Sequence, residues 1–329
     1  MSERIIIVGG GVSGLLASYV LCSYGQTPVI LEPQKVGGDF LLGGLKYIHR
    51  TDRMAELFDA IELPWSEYKV RGGILLRGQV QPYPKCLHGM VATEANRIRA
   101  DHFRKTRHVE PGGDFAAKAM NDPAAAKGPR RAMRTDFQYM IDELEKRAKI
   151  IRLGLSRIDS ARNAIQLSNG EWCGYDKLIL TIPLWVIRSM ADFYVPQGMA
   201  LGLNLIQVRP MRDAYSKWDY VYTPYTPADA IHRISHFDGG YTCEANGGWS
   251  KQESNVQTDL AFIFEDGFLI ESIKAGVKGH LLELQEQPRW PDNVAPLGRF
   301  AKWDPRATAD VTLEDVRTLA EAWGWTETL

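Results

Sequence analysis

Residues 4–32 read RIIIVGGGVSGLLASYVLCSYGQTPVILE, and the order of residue types in this stretch decides the fold. Ile5 to Val8 form a continuous apolar run with no polar alternation, the pattern of a parallel strand covered on both faces. The glycines follow at once. From Ser13 to Tyr24, Leu16, Val20 and Leu21 recur at helical spacing, Gly25 supplies a stop, and Pro28 to Leu31 form a second apolar strand. The resulting β-turn-α-β unit carries Gly9-x-Gly11-x-x-Gly14 between strand and helix, the context in which this pattern signals a nucleotide. Gly9 permits the tight turn, Gly11 lets a pyrophosphate approach the backbone, and Gly14 lets the helix pack on the strand. A pyrophosphate would lie against the free N–H groups and positive dipole end of the helix. Glu32 ends the second strand, where its carboxylate can accept hydrogen bonds from ribose hydroxyls and would repel a 2′-phosphate.

Working outward, the 329 residues are 45% hydrophobic and 24% charged, with a formal net charge of -1. That is the composition of an ordinary globular protein with room for two interleaved lobes, and it points to no polyanionic or membrane partner. Cys22, Cys86, Cys173 and Cys243 form no CxxC pair, so neither a disulfide framework nor a thiolate metal site is expected. The apolar stretches are too short for a bilayer-spanning helix, and the N-terminus lacks the pattern of a signal peptide. A cytoplasmic location without membrane contact is expected. Nothing sets an oligomeric state.

Residues 69–83 read as short strands around glycine turns. Phe137 to Arg147 form an amphipathic helix with Phe137, Met140, Ile141 and Leu144 on one face. Strand-like segments are expected at 149–158, 163–167 and 177–182, and an antiparallel sheet over 203–265. A closing helix is expected from Thr312 to Trp323, with Asp310 or Thr312 as its cap. The basic segment 97–134 carries Arg97, Arg99, Arg104, Lys105, Arg107, Lys127, Arg130, Arg131 and Arg134. Such a cluster is either a solvated face balanced by acids elsewhere or a surface that contacts DNA through its phosphates.

After Glu32 comes Lys35-Val36-Gly37-Gly38, and here the chain resembles the superfamily of FAD-dependent amine oxidases, protoporphyrinogen oxidases and UDP-galactopyranose mutases. In that superfamily an Arg-x-Gly-Gly motif lies along the FAD; Lys35 stands in place of the Arg. Gly43-Gly44-Leu45-Lys46-Tyr47-Ile48-His49 resembles the mutase segment beside the isoalloxazine ring, with Lys46 where the mutases commonly place a His. Asp136 to Leu184 is similar to the middle segment of the FAD domain, which implies that the backbone around Ile158 meets the adenine edge. Gly298-Arg299-Phe300-Ala301-Lys302-Trp303 resembles the C-terminal Gly-Arg motif near the ribityl and pyrophosphate groups. Asp39 departs from the basic residue often found after the glycine doublet.

The resemblance implies an α/β fold: a Rossmann-like FAD-binding domain with an interleaved antiparallel-sheet substrate domain. The expected FAD-binding parts are 1–80, 136–185 and 290–329. The expected substrate parts are 81–135 and 186–289, with the basic insert 97–134. FAD is the expected cofactor, through Gly9, Gly11, Ser13, Gly14, Glu32, Lys35, Gly37, Gly38, Gly43, Gly44, Ile158, Gly298 and Arg299.

Lys46 is the first candidate for catalysis, since an ammonium beside the ring would stabilise reduced flavin or hold a water. His49 is either its orienting partner and an acid–base group or a satisfied core histidine. Arg233 resembles the arginine of substrate-facing strands; it forks onto a carboxylate or phosphate of the substrate, or pairs with an acidic neighbour. Trp218, Tyr220, Tyr222 and Tyr225 are candidates for an aromatic wall. His232 and His236 lack an accompanying acidic cluster, and no metal is expected.

The leading function is FAD-dependent oxidation of a C–N bond in a small amine or amino-acyl substrate. Short enzymes similar to this chain belong to viral pathways that modify DNA bases, which implies a nucleobase-linked amine as one form of that substrate. The alternatives are a mutase-like flavoenzyme without net redox change and a non-catalytic flavin-binding protein that docks to nucleic acid.

Overall fold

The computed structural model describes residues 3–38, 47–83, 85–88, 90–107, 131–197, 200–213, 215–237, 239–247, 249–281, 286, 288–302 and 308–327. The first unit is built as its sequence predicts. Strand β1 (Ile5–Val8) leads through the glycine turn into helix α1 (Val12–Ser23) and strand β2 (Val29–Leu31). Strand β3 (Ile48–His49) and helix α2 (Asp52–Ala60) follow. Next come β4 (Trp65–Lys69), β5 (Gly72–Leu76), β6 (Gln79–Pro82) and helices α3 (Lys85–His88) and α4 (Ala92–Arg107). Strand β7 (Arg131–Thr135) precedes helix α5 (Phe137–Lys146) and strands β8 (Lys149–Ile151), β9 (Leu155–Asp159), β10 (Ala164–Leu167), β11 (Trp172–Gly174) and β12 (Lys177–Leu180).

Helix α6 (Leu184–Met190) leads into the second sheet through β13 (Ala200–Pro210), β14 (Tyr220–Tyr222), β15 (Ile231–Phe237) and β16 (Gly240–Asn246). Helix α7 (Trp249–Ile263), strand β17 (Phe268–Leu281), strand β18 (Val294–Pro296), and helices α8 (Arg299–Lys302) and α9 (Ala309–Ala322) complete the chain.

The parallel sheet has the order β18-β12-β1-β2-β8. Its centre explains the unbroken apolar run of β1. Ile5 and Ile7 face one core with Leu16, Val20, Met140 and Val316, whereas Ile6 and Val8 face another with Ile158, Ile165 and Ile187. Helices α1, α5 and α9 cover the first face, and the antiparallel sheet β11-β10-β9 with α6 covers the second. Fully burying each such side chain contributes roughly 1.5–3 kcal/mol. The second large layer is a seven-stranded sheet in the order β17-β13-β16-β15-β14-β5-β6, antiparallel except where β14 runs parallel to β5. A small antiparallel sheet β3-β7-β4 adjoins them.

Four local expectations are revised. Residues 249–263, expected within an antiparallel sheet, form α7, because Val256, Leu260 and Ile263 bury one face at helical spacing against β15 and β16. The segment 149–158 is two strands in different sheets, broken at Arg152–Gly154. The closing helix begins three residues earlier than expected, with Thr308 at its N-cap and Asp310 and Thr312 inside its first turns. The expected division at residue 80 falls within the β5–β6 hairpin, both of whose strands belong to the seven-stranded sheet. All four cysteines are free thiols. No helix among the described residues is long and apolar enough to cross a membrane.

Candidate functional site

The glycine turn joins β1 to α1 at the carboxyl end of the parallel sheet. Gly9 has φ +106°, a region that favours glycine, and a Cβ there would lie 2.5 Å from Thr181 Oγ1. That hydroxyl donates to the carbonyls of Val8 and Gly9 at 2.9 and 3.0 Å, so the turn is clamped to the end of β12. A Cβ on Gly14 would overlap the Gly9 carbonyl. Gly14 is therefore required by packing alone.

Gly11 is different. It is the N-cap of α1 with φ -70° and ψ 178°, ordinary extended backbone, and a Cβ on it would meet nothing within 4 Å. Its lack of a side chain leaves open space directly before the helix. No side chain caps α1 and no acidic residue stands in its first turn, so the N–H groups and positive dipole end address that space without a protein anion. This is the arrangement that receives a phosphate.

Two segments fold over the turn. Gly37 N donates to Gly10 O at 2.8 Å, and Gly37 bridges Gly11 in parallel fashion. Gly37 and Gly38 both have positive φ, and a Cβ on Gly38 would lie 3.7 Å from Gly11 Cα. Lys35 is exposed beside buried Val36. From the other side comes Gly298, with φ +79°, where a Cβ would overlap the Ser13 side chain. Arg299 is exposed at the start of α8.

Glu32 follows β2 with its carboxylate fixed at both oxygens. Gly10 N donates to Oε2 at 2.7 Å and Gln34 N donates to Oε1 at 2.9 Å. Each oxygen keeps a second lone pair in a geometry set by backbone. Ile158 is fully buried in β9, the edge strand of its sheet.

The structure thus brings Gly9, Gly11, Ser13, Gly14, Glu32, Gly37, Gly38 and Gly298 together around one turn. Gly43, Gly44 and Lys46 lie outside the described residues. His49 sits on β3 with Nδ1 3.4 Å from Asp310 Oδ2, at the first turn of α9. Burial alone would raise the pKa of Asp310, but hydrogen bonds from His49 and Thr308 outweigh it and lower the value. The pair ties β3 to α9. Helix α9 packs against α1.

The seven-stranded sheet carries the remaining candidates. Arg233 on β15 donates from Nε at 2.9 Å and from Nη2 to the same oxygen, Oε1, of Glu244 on β16. Glu244 is almost wholly buried, whereas 31% of the Arg233 side chain is exposed. Burial works against both charges, yet each offsets the loss for the other: Glu244 is held below the ordinary carboxylate range and Arg233 above its usual value. Of the two expectations for Arg233, the structure shows the pairing with an acidic neighbour, which occupies its Nε–Nη2 edge.

Of the expected aromatic wall, Tyr220 and Tyr222 stand together on β14 with ring centroids 5.0 Å apart, and Tyr83 joins them 5.1 Å from Tyr222. Trp218 packs with the core on the opposite face, and Tyr225 points away to hydrogen-bond Asp101. Glu244 and Tyr83 were not foreseeable as members of this group, since only the sheet register brings them to Arg233 and Tyr222.

In the basic segment, Lys105 is buried, donates to Thr223 O and Thr226 Oγ1 at 2.6 Å, and pairs with Asp229 at 3.2 Å. It is a structural anchor. Arg104 pairs with Asp101, Arg131 with Glu67, and Arg134 lies over the ring of Tyr68. Lys127 and Arg130 lie outside the described residues. No group of three or more His, Cys, Asp or Glu side chains among the described residues is arranged to hold a metal ion.

No protein-family model matches the chain, and no curated protein matches its sequence. Solved structures do match in shape. A reduced UDP-galactopyranose mutase superposes with a TM-score of 0.71 at 14% identity, covering 98% of this chain and 94% of the other. An oxidoreductase from Methanosarcina mazei gives 0.70 at 13% identity over 97% and 100% of the two chains. A double mutant of putrescine oxidase gives 0.66 at 12% identity over 98% and 99%. The chain therefore has the α/β fold shared by mutases and amine oxidases of this type.

Proposed function

We propose that the protein is an FAD-dependent oxidoreductase that oxidises a C–N bond of an amine or amino-acyl substrate. The observation that carries this reading is the open space at Gly11 before the uncapped end of α1, with Glu32 fixed at the end of β2. A dinucleotide fits both: its pyrophosphate at Gly11, Ser13 and Gly14, and its adenosine ribose on Glu32. Gly37, Gly38 and Gly298 close the cradle, with Gly43, Gly44, Lys35 and Arg299 as further contacts and the backbone at Ile158 as the adenine edge. The shared fold supports FAD over other dinucleotides, because the mutase and putrescine oxidase that superpose on the chain are flavoproteins.

Bound FAD supplies a two-electron acceptor for the hydride of the C–H bond beside nitrogen. The protein's own residues position the substrate and manage charge. Asp310 would orient His49, Lys46 would supply a positive charge at the ring as the resemblance implies, and the sheet face around Arg233, Tyr220 and Tyr222 would form the substrate wall. The amine is either free or carried on a nucleobase; DNA contact in the second case would draw on residues of 97–134 other than the anchored Lys105.

The test is anaerobic. A panel of primary amines and amine-bearing nucleosides is mixed with the protein, and the oxidised flavin absorbance is followed. Bleaching by an amine, with the matching aldehyde or ketone recovered after hydrolysis, is the expected result. A flavin-loaded protein that none of these compounds reduces would count against amine oxidation.

A further inference from the structure

The pairing register places two transverse rows of side chains on one face of the seven-stranded sheet, because directly opposed residues of neighbouring strands point the same way. One row runs Tyr222, Arg233, Glu244, Leu205 across β14, β15, β16 and β13. The next runs Tyr220, Ser235, Thr242, Gln207. A Cβ on Gly72, opposite Tyr220 on β5, would overlap the Tyr220 hydroxyl, so the tyrosine ring leans over that glycine. A sheet face in the middle of a protein is ordinarily apolar. This one is polar in both rows.

Part of its hydrogen-bonding capacity is unspent, although Gln207 Oε1 already accepts from Ser272 Oγ at 2.6 Å. Ser235 and Thr242 are wholly buried, and neither Ser235 Oγ nor Thr242 Oγ1 has a hydrogen-bond partner among the described residues. Buried polar groups without partners are costly and call for a ligand, a water or a functional reason. In the adjacent row Arg233 spends Nε and Nη2 on Glu244, and Nη1 meets no acceptor among the described residues.

Its charge, by contrast, is spent. Glu244 neutralises Arg233. His232, whose Nε2 lies 3.5 Å from Glu244 Oε2, is driven towards the neutral form by burial. Lys105 is matched by Asp229. Lys274, opposite Leu205 in the same row, is exposed and three strands from Arg233, roughly 14 Å at the usual strand spacing. An anion arriving at Arg233 would put a second negative charge on a guanidinium already compensated by a buried carboxylate. A neutral acceptor would meet an N–H donor at no such cost.

We propose that this face binds the end of the substrate remote from the reacting C–N bond, and that this end is an uncharged planar ring bearing a carbonyl oxygen. The ring lies among Tyr83, Tyr220 and Tyr222, and its carbonyl accepts from Arg233 Nη1. The assignment rests on the proposed flavoenzyme reading in taking this face as the substrate wall, and it names what that wall selects. A free carboxylate is selected against, so a simple amino acid is a poor substrate. Glu244 is the specificity-determining residue, acting through Arg233.

Benzamide and benzoate are the probes, being planar and nearly isosteric but differing in charge. Each is titrated calorimetrically into the purified protein, and the flavin content of the same sample is fixed by absorbance. The expected result is that benzamide binds at least about tenfold tighter than benzoate, since an uncompensated buried charge is the larger cost. Glu244→Gln frees the charge of Arg233 and should reverse the order. Should that variant fail to fold, Arg233→Met carries the test, and it should weaken benzamide by roughly tenfold through loss of the donor. Equal or tighter binding of benzoate to the unaltered protein overturns the proposal, as does a flavin-loaded protein that binds neither compound at millimolar concentration. A protein that cannot be loaded with FAD and still prefers benzamide would support the proposal while defeating the flavoenzyme reading, so the two fail separately.

Discussion

Gly11 and Gly14 stand in one turn and answer to different constraints. At Gly14 a methyl group would overlap the Gly9 carbonyl, a backbone atom that cannot rotate away. Gly14→Ala is therefore expected to destabilise the fold itself by about 1–3 kcal/mol, the usual cost of forced overpacking, and to lower the thermal midpoint. At Gly11 a methyl group meets nothing and the backbone is ordinary. Gly11→Ala should leave the midpoint of the flavin-free protein unchanged while weakening dinucleotide binding, and a bulkier Gly11→Val should abolish it. Melting curves of the flavin-free variants beside FAD titrations check both halves. A Gly11→Val protein that keeps its affinity would show that the space is not a phosphate site. The packing of Gly14 and the place of Gly11 before the helix were legible in the sequence because strand, helix and second strand fix where each glycine falls. The partner of Arg233 was not, because Glu244 lies eleven residues on, and a bulge at His232 sets which residues face each other.

At the level of elements, helix α7 secures the loop between β14 and β15. Asp259, fully buried on α7, accepts from Thr226 Oγ1 and from the backbone N–H groups of Ala228, Ala230 and Ile231, at 2.7 to 2.9 Å. One carboxylate thus satisfies three backbone donors, and Thr226 also receives the buried ammonium of Lys105. Asp259→Ala should cost about 3–5 kcal/mol, since it leaves three buried backbone donors and the Thr226 hydroxyl without their acceptor. Denaturant unfolding measures the loss; a change below about 1 kcal/mol, the size of a typical substitution, would mean that the loop is held by something else. Helix α7 escaped the sequence reading for a physical reason. Among its described side chains the buried apolar stripe is Val256, Leu260 and Ile263 beside Asp259, and the polar residues around it read no differently from the strands before. The amphipathic helix α5 was legible because Met140, Ile141 and Leu144 form a strong stripe and Asp136 caps it, accepting from Gln138 N and Tyr139 N.

Over the whole molecule, the chain crosses between its layers several times. The parallel sheet draws strands from residues 5–31, 149–180 and 294–296, and the seven-stranded sheet from 72–82 and 200–281. Motifs spread along the sequence pointed to several crossings, but the sheet to which each segment belongs was not legible, since β5 and β6 carry the same short-strand pattern as their neighbours. The arrangement leaves the glycine turn at the edge of one layer and the Arg233 face on another, which suits an enzyme whose cofactor and substrate are held by different layers. The most direct test of this account is to purify the protein, record its visible spectrum, denature it and identify what is released by chromatography. A yellow protein that releases FAD, or a colourless one that becomes yellow on reconstitution with FAD, is the predicted result. Release of FMN, or a protein that cannot be loaded with FAD at all, would contradict it.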